Sequence, residues 1–288
     1  MCIFLHENGY KVTGLDISKP LNDDIFYNFH LADMRNFEWN SLKFNDFHAV
    51  IHLAALTSVS ESFNKRDEYF DINVNCTNDL FFHCNENGIK KVIFASSAAC
   101  YGNSEKDIKI IGEEFSPESP YAITKLEGEK LALKYTTETT NFICLRFFNV
   151  YGPHQSVDSS YAAVIPNFIN QIHNNLPITI YGNGSQTRDF IHVSDIIKSI
   201  IKIMNTPDKV PYLLNLGTGN GVSIKKLADT VLGLSHHYGG KSFLQYLPER
   251  KGDVLYSISD ISELSKWIDI NEFLPLDMGI RELFERGA

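Results

Sequence analysis

Apolar positions along the chain alternate between short runs that suit buried strands and longer stretches with helical spacing. Met1 to Asn8 reads as the tail of a helix, with Asn8-Gly9 as its stop, since glycine is the usual residue just past a helix end. Tyr10 to Leu15 reads as a strand ending on Asp16, and Tyr27 to Ala32 as another that ends on Asp33. Ala49 to Ala55 is a near-continuous apolar run, the pattern of a strand buried on both faces. Asp67 to Asn87 is a long helical pattern stopped by Asn87-Gly88, and Lys91 to Ser97 the strand after it. Tyr121 to Thr137 is a further helix, followed by a strand over Phe142 to Asn149. This alternation predicts a doubly wound parallel sheet of the α/β class, with ligands at the carboxyl ends of its strands.

The pattern changes after Gly152-Pro153. Polar loop covers Ser156 to Tyr161, then come a helix over Ala163 to Asn174 and a strand over Ile178 to Tyr181 that ends in Gly182-Asn183-Gly184. Asp195 to Asn205 is helical, Tyr212 to Leu216 a strand, and short elements follow. We expect a first domain over residues 1–152, with 188–216 packing against it, and a smaller α/β domain from 153–187 and 217–288.

A helix, a glycine stop, a short strand and a terminal acid form the second half of a dinucleotide-binding βαβ unit of Rossmann type. In that unit the acid lies ~20 residues beyond a glycine-rich turn and bonds the adenosine ribose. Counting back from Asp16 runs past Met1, so the first strand and its glycine loop are expected to be missing from this sequence. Their loss would leave unpaired edges inside the sheet, with poor dinucleotide binding and low stability, and ~15 upstream residues would repair both. Gly217-Thr218-Gly219-Asn220-Gly221 imitates the fingerprint, but Val222 stands where the third glycine is needed. It reads as a tight turn, with Ser223 capping the next helix.

Composition narrows the partners. A net charge of −9 argues against nucleic acid or an anionic membrane as the main partner. Five cysteines, Cys2, Cys76, Cys84, Cys100 and Cys144, lie in apolar contexts without metal-ligand spacing, as expected of buried thiols in a reducing compartment. No apolar run is long enough to span a bilayer and the first residues lack a signal-peptide pattern, so a cytoplasmic location is expected.

Candidate chemistry sits in Ser119-Pro120-Tyr121-Ala122-Ile123-Thr124-Lys125, with Ser96-Ser97 upstream. On a helix, Tyr121 and Lys125 share one face. A phenol titrates near pH ~10 and is a poor base at neutrality unless a cation stabilises the phenolate. Lys125 can supply that cation and a serine can bond the oxygen being deprotonated, which suits proton transfer at a sugar hydroxyl.

Eight blocks in order carry a wider resemblance: Leu15-Asp16, Ala32 to Arg35, His52 to Ala55, Ser96 to Gly102, Ser119 to Lys125, Arg146 to Pro153, Arg188 to Val193, and Arg250 to Asp253. With them the chain resembles the extended short-chain dehydrogenase/reductase family, and most of all its nucleotide-sugar 4-epimerases. The resemblance implies NAD as a resident cofactor and Ser97, Tyr121 and Lys125 as the catalytic group. It implies cofactor contacts from Asp16, Asp33, Met34, Leu53, Ala54, Ala55 and Asn75, as well as from Tyr121 and Lys125. On the substrate side it implies Ser97, Asn149, Val164, Tyr181, Arg188, Arg250, Asp253 and Ser257, around a UDP-sugar. Arginines suit a diphosphate because they bond it bidentately; the competing reading of Arg188 is an ion pair with Asp189. A homodimer packed through the Asp67–Asn87 and Tyr121–Thr137 helices is implied as well.

In the implied reaction Tyr121 takes the 4-hydroxyl proton as hydride leaves C4, the keto sugar turns, and hydride returns to its other face. Sister dehydratases and the decarboxylase carry an acid just after the catalytic serine or threonine, where this chain has Ala98-Ala99-Cys100. Those activities, or a non-catalytic truncated relative, are the alternatives. Thr57 stands where some epimerases place a lysine on the cofactor diphosphate. Ser257 stands where hexose-restricted epimerases carry tyrosine, so the pocket is expected to admit N-acetylated sugars.

Overall fold

The computed structural model describes residues 1–103, 106–113, 116–155, 163–237, 242–249 and 254–286. The elements in chain order begin with α1 (Cys2–Glu7), β1 (Thr13–Asp16), β2 (Asn28–Leu31), β3 (Ala49–His52) and α2 (Arg66–Phe70). A π-turn over Asp71–Asn75 joins α2 to α3 (Cys76–Glu86). Then follow β4 (Lys91–Ser97), β5 (Ile108–Lys109), α4 (Pro120–Tyr135), β6 (Asn141–Phe147), β7 (Asn149–Tyr151), α5 (Val164–His173) and β8 (Ile178–Tyr181). The last elements are β9 (Thr187–His192), α6 (Val193–Asn205), β10 (Leu213–Leu216), β11 (Gly221–Ser223), α7 (Ile224–His237), β12 (Leu244–Leu247), β13 (Tyr256–Ser259) and α8 (Leu276–Arg286).

The chain folds as two compact units. Met1–Ala95, Ser119–Cys144 and Thr206–Tyr212 form the first; Ser96–Glu118, Leu145–Asn205 and Leu213–Ala288 form the second. This division differs from the boundary expected at residue 152. Of residues 188–216 only Thr206–Tyr212 joins the first unit, because β9 is built into a sheet of the second, where it pairs with β7, β11 and β13.

In the first unit, β1 and β2 form a two-stranded parallel sheet in register from Thr13↔Asn28 to Asp16↔Leu31. β3 runs parallel to β4 from Ala49↔Lys91 to His52↔Phe94, and β6 is the neighbour of β4 on its other side. Among the described residues, β1 and β3 each leave one edge without a neighbouring strand. Val92 to Ala95 and Asn141 to Cys144 are all buried, whereas Ala49 to Ile51 are only half-buried. Phe81 of α3 is at the centre of the core, with ring centroids 4.9 Å from Phe142, 5.6 Å from Phe94 and 6.0 Å from His52. Single 3-10 turns at Met34–Asn36, Trp39–Ser41 and Phe44–Asp46 connect β2 to β3.

The second unit packs α5, α7 and α8 around Tyr151, Phe168, Ile178, Ile180, Phe190 and Leu227. Ile178 and Ile180 alternate with half-exposed neighbours, as a strand with one buried face requires. Cys76, Cys84, Cys100 and Cys144 are buried as expected, but Cys2 is only half-buried. Burial pushes the thiol of Cys84 up to about 12 and that of Cys76 up to about 11, which makes both poor nucleophiles. Among the described residues, no helix is long and apolar enough to cross a membrane.

Candidate active site

In the first unit, α4 starts where its sequence dictates. The Ser119 hydroxyl accepts the Ala122 N–H at 3.1 Å, and Pro120 fills the first turn, where its missing N–H costs nothing. That start puts Tyr121 and Lys125 one turn apart, and both are buried, with 8% and 3% exposure. The Lys125 Nζ donates to the Ala95 carbonyl at 2.8 Å and lies 5.0 Å from the Phe94 ring centroid and 5.8 Å from that of Tyr121. Gly128 makes this approach possible: a Cβ there would come within 2.5 Å of Phe94, so any side chain would push α4 off β4.

Asn73 extends the arrangement. Its amide donates to the Leu56 carbonyl and to Thr124 Oγ1 at 2.9 and 3.1 Å, and its oxygen accepts the Leu56 N–H at 2.8 Å. The loop after β3 is thereby bonded to α4 one residue before Lys125. Asn75, the residue named from the sequence, is exposed and donates to Asp71 Oδ1. The bridging residue is two positions earlier, inside the π-turn, a form of helix distortion that apolar spacing does not reveal. His52 is a second buried polar group, with Nε2 at 2.9 Å from Thr77 Oγ1. Burial, aided by the Lys125 charge, brings its imidazole down to about 3 and keeps it neutral.

The residues expected to hold the cofactor lie at the carboxyl ends of β1, β2 and β3. Asp16 is exposed and accepts the Ser18 N–H at 2.8 Å. Asp33 accepts the Arg35 backbone N–H and three guanidinium bonds, two from Nε and one from Nη2, at 2.6–3.1 Å; these bonds from Arg35 hold its carboxyl below the usual range. Met34 follows at the start of a 3-10 turn. Leu53 and Ala54 are exposed, Ala55 is half-buried, and Thr57 is exposed.

In the second unit, Ser97 closes β4 half-buried, and its Oγ accepts the Ala99 N–H at 3.1 Å. The turn after it is fixed by Tyr101, whose hydroxyl donates to Asn215 Oδ1 at 2.6 Å beneath the buried Arg146 guanidinium, 4.5 Å from the ring centroid. A cavity of about 530 Å³ opens among Asn149, Val164, Phe168, Tyr181, Gln186 and Arg188. It therefore gathers four of the residues expected on the substrate side. Ser257 lies opposite Arg188 in the parallel β13–β9 register. Arg250 and Asp253 fall outside the described residues.

Arg188 makes no ion pair with Asp189. Its Nη1 donates to the Thr187 carbonyl at 3.0 Å, while the Asp189 carboxylate is buried and accepts from Thr218, Gly219 and Ser259. The Gly217–Gly221 turn is therefore no phosphate loop, since two of its N–H groups, those of Thr218 and Gly219, bond an internal carboxylate. Ser223 accepts the Lys226 N–H at 3.1 Å, the expected cap on α7. Gln186, not foreseen, lines the cavity and donates to the Tyr181 carbonyl at 2.9 Å.

The chain is similar to known proteins over most of its length. The chain is 31% identical over 264 residues to the UDP-glucuronate 4-epimerase of Thermodesulfobacterium geofontis, a match that covers 88% of this chain and 77% of that one. It is 30% identical over 253 residues to the UDP-N-acetyl-alpha-D-glucosaminuronate decarboxylase of Bacillus cytotoxicus, covering 84% and 77%. In structure it resembles the UDP-N-acetylglucosamine 4-epimerase of Methanobrevibacter ruminantium, solved with UDP-N-acetylmuramic acid, with a TM-score of 0.88 at 31% identity over 100% of this chain and 95% of that one. Residues 1–217 match the family model described as the NAD dependent epimerase/dehydratase family. Together with the Tyr121–Lys125 pair and the arginine-bearing cavity, this match establishes that the chain belongs to that family, within the extended short-chain dehydrogenases/reductases.

Proposed function

We propose that this protein catalyses NAD-dependent epimerisation at C4 of a UDP-hexose or UDP-N-acetylhexosamine through a 4-keto intermediate. The observation that carries the reading is the buried pair on α4, Tyr121 with the Lys125 ammonium 5.8 Å from its ring. A cation held in a buried place beside a phenol favours the phenolate, the form able to accept a proton at neutral pH. The absence of an acid at Ala98-Ala99-Cys100 favours epimerisation over elimination or decarboxylation.

The residues present fit NAD. Asp16 ends β1 and Asp33 follows β2 by two residues, on the side where parallel sheets bind ligands; Asp16 would take the ribose, and Asp33 and Met34 would flank the adenine. Leu53 to Ala55 have short or outward side chains that leave backbone open to phosphates, and Asn75 and Lys125 complete the set. When bound, NAD supplies a reversible two-electron acceptor for the C4–H bond.

The chain's own residues do the rest. Tyr121 removes the 4-hydroxyl proton and later returns it to the same oxygen. Lys125, anchored on Ala95, favours the phenolate during that transfer. Ser97 accepts from Ala99, so its own proton can be donated to a ligand oxygen. Arg188 and Asn149, with Arg250, would hold the diphosphate; Tyr181 borders the uracil, Asp253 would take its ribose, and Val164 lines the same cavity as Arg188. Ser257 admits an N-acetyl group. A cytoplasmic homodimer completes the proposal, supported by exposed Phe70, Phe82, Ile123 and Leu133 on α2, α3 and α4.

Incubating the chain and NAD with UDP-glucose and, separately, UDP-N-acetylglucosamine tests the proposal. The expected products are the C4 epimers of unchanged mass; a product lighter by water contradicts it.

A further inference from the structure

Arg188 and Asp189 are adjacent in β9 and therefore point to opposite faces. Arg188 lines the cavity and Asp189 is fully buried behind it. Asp189 Oδ1 accepts the Thr218 N–H at 2.8 Å and the Thr218 hydroxyl at 2.6 Å. Oδ2 accepts the Gly219 N–H at 2.9 Å, the Ser259 N–H at 3.1 Å and the Ser259 hydroxyl. Five donors meet a group with about four lone-pair sites, so the carboxylate is saturated. The glycines make room for it: a Cβ on Gly217 would fall 2.6 Å from Oδ2, and Gly219 has a φ of +74° that side chains disfavour. Successive N–H groups in such a turn form a nest for an anion, and here the anion belongs to the protein.

The contacts fix more than the turn. Ser259 ends β13, the strand whose Ser257 faces Arg188, and the turn leads into β11, which pairs with β9 at Asp189. The Asp189 carbonyl accepts the Asn149 amide at 3.0 Å. We propose that Asp189 is a positioning residue for the sugar-nucleotide subsite: its five convergent bonds lock β9, β13 and the Gly217 turn together and so set where Arg188, Asn149 and Ser257 stand. The role in ligand binding rests on the proposed function; the bonds themselves do not.

Two donors can be removed without touching Asp189. UDP and NAD affinities, melting temperature and amide hydrogen exchange are to be measured for the full chain and for Asp189→Asn, Thr218→Val, Thr218→Ser and Ser259→Ala. Asp189→Asn turns an amide NH2 toward N–H and O–H donors, and losing charge-assisted bonds there is expected to weaken UDP binding at least about tenfold. NAD affinity should stay within about twofold, since the expected NAD contacts are made elsewhere. Thr218→Val and Ser259→Ala should each weaken UDP binding by roughly three- to tenfold, while Thr218→Ser, which keeps the hydroxyl, restores it. These two variants carry the test if Asp189→Asn fails to fold. Lower melting temperatures with UDP affinity intact, or equal losses in Thr218→Val and Thr218→Ser, overturn the proposal. If the wild type binds no UDP, the functional reading fails on its own. The hub is then judged by exchange: faster exchange at Thr218, Gly219 and Ser259 in the folded variants supports it, and unchanged exchange overturns it.

Discussion

β3 and β4 both carry short apolar runs, Ala49-Val50-Ile51 and Val92-Ile93-Phe94-Ala95, yet they end in different surroundings. Val92 to Ala95 of β4 are buried between two neighbouring strands, while Ala49 to Ile51 of β3 are half-buried at the end of the sheet. The sheet around β9 in the second unit is different again: β9 pairs with β7, β11 and β13, and its Asp189 carboxylate accepts bonds from the Gly217–Gly221 turn. The difference teaches that an apolar run records what a strand is suited to bury, and that its environment depends on its neighbours. Among the described residues it also separates a first unit whose strands β1 and β3 each have an open edge from a second in which β9 is paired on both sides.

The largest expected effect lies at the junction of chemistry and packing. Tyr121→Phe keeps the ring in place and removes the base, so kcat should fall by about 10² to 10⁴ with UDP affinity unchanged, in steady-state kinetics with NAD saturating. Arg188→Met should leave kcat near wild type at saturation and raise KM for the sugar nucleotide roughly 10- to 100-fold, because a charge-assisted contact to a diphosphate is lost. If both substitutions moved KM and kcat alike, the division into halves would fail.

Hydrogen exchange sharpens the strand comparison. Amides of β3 should exchange faster than those of β4 by roughly tenfold or more, since a strand with an open edge unfolds locally at lower cost. Equal protection in the two strands would contradict the reading of their burial.

Acid stability probes the core beneath Lys125. His52 titrates near 3 when folded and near 6.5 when unfolded, so between those values the unfolded chain binds more protons and stability falls as pH drops. Between pH 7 and pH 5 the loss should be about 2 kcal/mol. His52→Gln, which keeps a polar partner for Thr77, should remove that slope in urea unfolding at the two pH values. The smallest effect is the most selective: Ser257→Tyr should lower turnover of UDP-N-acetylglucosamine and spare UDP-glucose, which parallel assays on both sugars check.

Much of this was legible in residue order. The helix start at Ser119-Pro120, the Tyr121–Lys125 spacing, β4, β8 and the cap at Ser223 all follow from local rules of capping and alternation. The bonding of Asn73 and Asp189 was not legible, because Asn73's partners lie 17 and 51 residues away and those of Asp189's carboxylate 29 or more. The place of β9 was hard to read for a related reason: it looks like a continuation of the first domain in sequence but pairs with strands on either side of it in the chain.

The central claim is that C4 is oxidised and then reduced again by the same resident cofactor while the sugar keeps all its atoms. UDP-N-acetylglucosamine carrying deuterium at C4 tests this directly, with the chain and catalytic NAD in ordinary water. The account predicts UDP-N-acetylgalactosamine that retains deuterium at C4. Loss of the label to water, or its appearance at C6 in a dehydrated product, would contradict it.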